Sequence, residues 1–187
     1  MRRALVAILV LGAACARQTD PVTIPSERIP FPLSRTAAAD ELVPQRLRFR
    51  VTLVTKSRLR EVTRELTTPV PPEESAVRTL LVGPTSTERA SGLRTAIPRA
   101  ARLLGITVVD GIATVDFTQE FQGPASSRDV LLRVAQVVET LVGLRAPDIV
   151  AVRFSIEGRL VGVPTTREAA VERPVDGADY AGLRARS

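Results

Sequence analysis

The chain is predicted to fold as a compact single α+β domain with elements in the order β-β-α-β-β-α-β-β. Three observations carry this reading. "RLRFRVTLV" and "LLGITVV" alternate apolar and polar residues, as half-buried strands do. "SSRDVLLRVAQVVETLVG" carries an apolar stripe at helical period. Asp110-Gly111 and Glu157-Gly158 each sit between apolar runs, where a two-residue hairpin turn needs positive φ.

The elements follow in order. In "RLRFRVTLV", Leu47, Phe49, Val51 and Leu53 point inward and Arg46, Arg48, Arg50 and Thr52 form an arginine outer face. "LREVTREL" returns as its hairpin partner through Lys56-Ser57. "PPEESAVRTLLVG" is a helix opened by proline and acidic residues, buried along Val77, Leu80 and Leu81, and stopped by Gly83-Pro84. Residues 84–102 are irregular and basic, with Leu93 and Ile97 as inward anchors.

A second hairpin turns at Asp110-Gly111. It pairs Val109 with Ile112, Val108 with Ala113, Ile106 with Val115 and Leu104 with Phe117, so that Leu104, Ile106, Val108, Ala113, Val115 and Phe117 share the inner face. The second helix begins at Ser126, with Asp129 completing a variant capping box, and buries Val130, Val134, Val137, Val138 and Leu141 before Gly143 stops it. "IVAVRFSI" and "RLVGV" close the domain as a last hairpin. From Pro164 the tail is polar, with Tyr180 and Leu183 as docking residues. The elements are expected to stack as one α+β layer.

Within "VVDGIATVDFTQEF", Asp110, Asp116 and Glu120 raise the question of an acid/base pair or a metal nest. Their placement argues for folding chemistry instead. Asp110 sits in the turn, where aspartate tolerates left-handed geometry. Asp116 ends a strand and is expected to accept the backbone N–H of Thr118 in an Asx-turn. Glu120 points outward while Phe117 and Phe121 turn in. Calcium wants six to eight converging oxygens, and these three diverge.

Composition narrows the chemistry further. The chain has no histidine and no tryptophan, which excludes Ser-His-Asp and Cys-His catalysis and His-ligated zinc. One cysteine, Cys15, allows no intrachain disulfide. A folded part of about 120 residues buries enough core to need none. The net charge is +6, but it comes from scattered arginines with few aromatics between them, unlike a nucleic-acid face. No catalytic residue, metal ligand, cofactor or small-molecule substrate is expected.

"MRRALVAILVLGAACA" has a basic start, an apolar run and a small-residue end, the layout of a signal peptide too short to span a membrane. Leu11-Gly12-Ala13-Ala14-Cys15 resembles the lipobox of bacterial lipoproteins, in which the cysteine is acylated, although Gly12 stands where leucine is usual. The alternative is plain secretion with cleavage after Ala14 or Ala16. The organisation expected is leader 1–15, proline-rich tether 16–45, domain 46–165 and tail 166–187. The tether's Ile29, Phe31 and Leu33 alternate and could dock.

"LLVGPT", "GLRTAIP", "DGIATVDFTQEF", "AQVVETL" and "VRFSIEG", in that order, resemble the GerMN domain of spore-germination proteins and of actinobacterial lipoproteins of the LpqB type. "RPVDGADY" is similar to the family's usual ending. The resemblance covers about residues 46–165 and implies an exported, lipid-anchored protein whose domain is similar to ring-building modules and has no enzymatic activity. It also marks Gly83, Pro84, Pro98, Asp110, Gly111, Asp116, Phe121, Gln136, Thr140 and Gly158 as family-motif positions, structural or binding. The chain departs in carrying one copy of the domain, without the propeller of the LpqB type.

Three functions follow as expectations. The first is a non-enzymatic interaction module on the outer face of the cytoplasmic membrane, partnered by an envelope protein or a cell-wall polymer. Arg48, Arg50, Arg58, Arg60 and Arg64 are its candidate contacts to anionic lipid or polymer, against the alternative of a merely solvated face. The second is a self-assembling scaffold subunit joined through strand edges. The third is a carboxylate-dependent hydrolase, disfavoured by the divergent acids.

Overall fold

The computed structural model describes residues 44–185. The leader, Cys15 and nearly all of the tether lie outside them. A long hairpin comes first, β1 (Gln45–Thr55) and β2 (Arg58–Thr68), turning through Lys56 and Ser57 at φ 45° and 61°. Helix α1 (Pro72–Val82) follows, then a short helix α2 (Ser86–Ala90) inside the stretch expected to be irregular. The signal for α2 was local: Thr85 and Glu88 form a reciprocal capping box. Leu93 and Ile97 are buried, as expected.

Strands β3 (Leu103–Val109) and β4 (Ile112–Phe117) form the Asp-Gly hairpin. Helix α3 (Ser127–Val142) then carries the chain back so that β5 (Ala151–Ile156) pairs parallel with β4. β6 (Arg159–Leu160) is a two-residue return through Glu157 (φ 49°) and Gly158 (φ 79°). The strands therefore make two sheets, β1-β2 and β3-β4-β5-β6, and not one layer.

The hairpin register departs from the expected one at a single place. The pairs at Val109, Val108 and Ile106 form as expected, but a bulge between Leu103 and Gly105 puts Leu103, not Leu104, opposite Phe117. Leu103 is buried and Leu104 is 54% exposed. Gly105 is the cause legible in hindsight, since a strand glycine often marks a bulge.

Helix α3 departs more. Its stripe of Val134, Val137, Val138 and Leu141 is buried, and Val130 is only partly so. Every residue from Leu132 to Leu141 is buried as well, because α3 packs against β1, β2, β5, α1 and the C-terminal segment. A helix enclosed on all sides must satisfy its polar residues internally. The Ser126 hydroxyl accepts Asp129 N–H at 3.1 Å, but the Asp129 carboxylate bonds that hydroxyl and Arg94 and does not complete the box.

The tail is integral to the core. Val175 and Tyr180 are fully buried and Leu183 nearly so. Val171 and Val175 bridge Val163 and Val152, and the Tyr180 hydroxyl donates to Pro164 C=O at 2.8 Å. A 3-10 helix, Gly177–Leu183, is opened by an Asp176–Asp179 capping box within "RPVDGADY".

Candidate functional site

The three carboxylates of the second hairpin serve three separate local ends. Asp110 (φ 51°) and Gly111 (φ 74°) make the turn, and a side chain on Gly111 would also come within 3.2 Å of Val150. Asp116 does not accept from Thr118, whose N–H donates to Arg102 C=O at 3.0 Å. Its two oxygens instead receive Gly158 N–H at 3.0 and 3.1 Å, pinning the β5–β6 turn. Glu120 is exposed in a 3-10 helix, Gln119–Gln122, and the neighbouring Thr118 hydroxyl holds its carboxyl below the usual range. Phe117 and Phe121 stack beneath at 4.2 Å between centroids, with Phe154 beside them. Among the described residues no cluster of three His, Cys, Asp or Glu side chains is placed to hold a metal ion.

The other family-motif positions gather around α3 and its neighbours. Gly83 (φ 80°) caps α1, donating to Thr79 and Leu80 carbonyls. Pro84 C=O receives the Arg89 guanidinium. Pro98 C=O takes Ala101 N–H at 3.0 Å in the turn before β3. Gln136 is fully buried: its Nε2 donates to Thr52 C=O at 2.9 Å and its Oε1 accepts Ala96 N–H at 2.8 Å. Thr140, also fully buried, accepts Thr52 N–H at 2.9 Å through its hydroxyl. Each of these positions thus has a structural partner.

Sequence reasoning missed Arg133 and Glu139. Arg133 is 3% exposed and donates to the carbonyls of Ala96, Phe121 and Gly123, tying the loops that precede β3 and follow β4 to α3. Burial lowers its affinity for its proton. The signal was present: Arg133, Gln136 and Thr140 are spaced as one helical stripe that flanks the valines. Glu139 is 8% exposed, and burial raises its carboxyl above the ordinary range, opposed by the Arg184 guanidinium at 3.0 Å. Arg184 comes from the tail, so no local pattern could pair them.

The five arginines do not form one patch. Directly opposed residues of an antiparallel pair share a face. Arg48 and Arg50 share theirs with Glu65 and Glu61, and pair with them at 3.4 and 2.8 Å. Arg58, Arg60 and Arg64 lie opposite Thr55, Leu53 and Phe49, on the other face. Arg64 is committed to a bidentate, largely buried pair with Glu88 at 2.7 Å, which holds the Glu88 carboxyl below its usual range. Arg58 donates to Gly182 C=O at 3.1 Å. Arg60 makes no ion pair among the described residues and borders a cleft of about 510 Å³ with Thr52, Glu61, Glu139 and Arg184. A second cleft, about 490 Å³, lies between Arg48, Arg50 and Arg145. These clefts mix both signs of charge at the first and gather cations at the second.

The fold and these surfaces define a small α+β domain whose polar residues are spent on architecture, with open, charged clefts at its surface. The profile of the Germane family, described as sporulation and spore germination, matches residues 39–162, and the chain belongs to that family. Among solved structures it is similar to the tandem GerMN domains of the sporulation protein GerM from Bacillus subtilis, at 20% identity and a TM-score of 0.56, covering 79% of this chain and 49% of that one. The chain thus spans about half the length of that tandem protein. The first GerMN domain alone matches at 20% identity and a TM-score of 0.50, covering 70% of this chain and 97% of the other. These likenesses fix the fold. A search of curated proteins returns no match.

Proposed function

We propose that this protein is a non-enzymatic, lipid-anchored interaction module on the outer face of the bacterial cytoplasmic membrane, serving an envelope assembly of the sporulation or germination type. The observation that carries the reading is the Germane domain over residues 39–162, supported by the signal-peptide-like pattern and lipobox-like Leu11–Cys15 ahead of it in the sequence. Acylation of Cys15 would hold the domain at the membrane, and its partner would be an envelope protein or a cell-wall polymer. Of the expected anion contacts, Arg48 and Arg50, joined by Arg145, remain the best placed, although Glu65 and Glu61 offset their charge. Surface pairs of this kind contribute little attraction at physiological salt.

The test is metabolic labelling of the full chain with a clickable palmitate, together with protease treatment of spheroplasts. Wild type should carry the label and be digested from outside, and Cys15→Ala should lose the label. A protease-protected, unlabelled wild type would overturn the proposal. Crosslinking in intact cells then identifies the partner.

A further inference from the structure

A sheet edge is a row of N–H and C=O groups open to pairing, so folded chains shorten, charge or cover their edges. Among the described residues, every sheet edge but one is managed in one of these ways. β6, at one side of the larger sheet, is two residues long. β2 carries Arg60, Glu61, Arg64 and Glu65, and its Leu59 bridges Arg184. β1 carries Arg46, Arg48 and Arg50 along its first half, and at Thr52 and Val54 it is covered by Gln136, Thr140 and the main chain of Arg94, which exchanges hydrogen bonds with Val54 at 2.8 and 2.9 Å.

Beyond its bulge at Leu103–Gly105, β3 has none of these devices over Ile106 to Val109 among the described residues. It is the other edge of the larger sheet, and "LLGITVV" contains no charge and no proline. Val109 is 66% exposed and Leu104 54%. Its free groups can be assigned. Val109 and Ile112 flank a two-residue turn and so exchange hydrogen bonds with each other. Alternation then directs the N–H and C=O of Thr107 toward β4 and those of Ile106 and Val108 away from it. No main-chain partner outside the sheet meets Ile106 or Val108 among the described residues.

We propose that β3 pairs antiparallel with β3 of a second copy of this chain, about a two-fold axis at Thr107. In that register Ile106 lies opposite Val108 of the other copy, and these are the residues whose free groups point outward. Each Val109 lies opposite a Gly105, so an exposed isopropyl group covers a position with no side chain. Ile106 and Val108, which pack against the core, extend one apolar face across the axis. The occupant is a second copy because the strand complements itself. A two-fold axis at Thr107 sets that residue against its own copy and brings like strands side by side, which penalises any charge there, and β3 has none. This pairing goes beyond the envelope reading and depends on neither compartment nor anchor.

The test uses the full-length chain extracted in mild detergent. Residues facing each other in a non-hydrogen-bonded pair have Cα atoms about 4.5 Å apart, within disulfide range. Cys15→Ser with Thr107→Cys should therefore form a covalent dimer under mild oxidation. Thr114→Cys, on the same face one strand inward, should not. In sedimentation, wild type should be dimeric, Thr107→Lys and Thr107→Glu each monomeric, and their equimolar mixture dimeric again. Thr107 is exposed, so both substitutions leave the core untouched. A wild type that stays monomeric at its highest soluble concentration overturns the proposal. So does a Thr107→Cys chain that crosslinks no faster than Thr114→Cys, or charged variants that dimerise like wild type.

Discussion

Gln136 bonds the main chain of Thr52: its Nε2 donates to the Thr52 carbonyl at 2.9 Å while its Oε1 takes Ala96 N–H at 2.8 Å. With Thr140 accepting Thr52 N–H, the helix stands in for a neighbouring strand along β1. An amide has the donor and acceptor this needs, and leucine of similar size has neither.

Gln136→Leu should therefore strand a buried carbonyl and an N–H together, lowering stability by about 3 kcal/mol, from about 1–3 per orphaned group. Thr140→Val should cost about 1–2 kcal/mol on the same grounds, and Thr140→Ser less than either. Urea unfolding measures all three. Equal midpoints for Gln136→Leu and wild type would show that the edge needs no surrogate.

The bulge at Gly105 makes a prediction that the plain alternation reverses. Leu103→Ala should destabilise by about 2–3 kcal/mol, the cost of emptying a core leucine site. Leu104→Ala should change stability by less than about 0.5 kcal/mol, as exposed substitutions do. The opposite ranking in thermal or urea unfolding would restore the unbulged register.

The acid limb of stability should separate two glutamates. Arg64 holds Glu88 below its ordinary value of 4.5, so its stabilisation is complete above that pH and is lost as pH falls through the depressed folded value. Glu88→Gln should flatten that part of the profile. Glu139 is shifted the other way by burial, so the folded state grips its proton and stability falls as pH rises from 4.5 through the raised value. Glu139→Gln should remove that fall. Unfolding free energies measured across pH 3–7, an interval of about four units around ordinary carboxylate values, decide both.

Much of this fold was legible in the sequence. The turns at Lys56-Ser57, Asp110-Gly111 and Glu157-Gly158 all form where they were expected, the last two with the positive-φ glycine that such a turn favours. Both larger helices lie where period and caps placed them. These features depend on near neighbours alone. The candidate site was less legible. Asp116 was expected to act on Thr118, two residues away, and acts on Gly158, across the sheet. The arginines were expected to share a surface, and pairing divided them between two faces.

By itself, then, the sequence determined the local conformations, the inner faces of most strands, and the absence of histidine chemistry, because φ preferences, side-chain periodicity and composition are properties of short stretches. Only the tertiary structure decided that Leu132 to Leu141 of α3 are enclosed, that Gln136 and Thr140 bond to β1, that Arg184 returns to Glu139, and that the outer side of β3 meets no partner strand among the described residues. Each of these joins residues far apart in the chain. A strand's own sequence does not say which of its sides will find a neighbour.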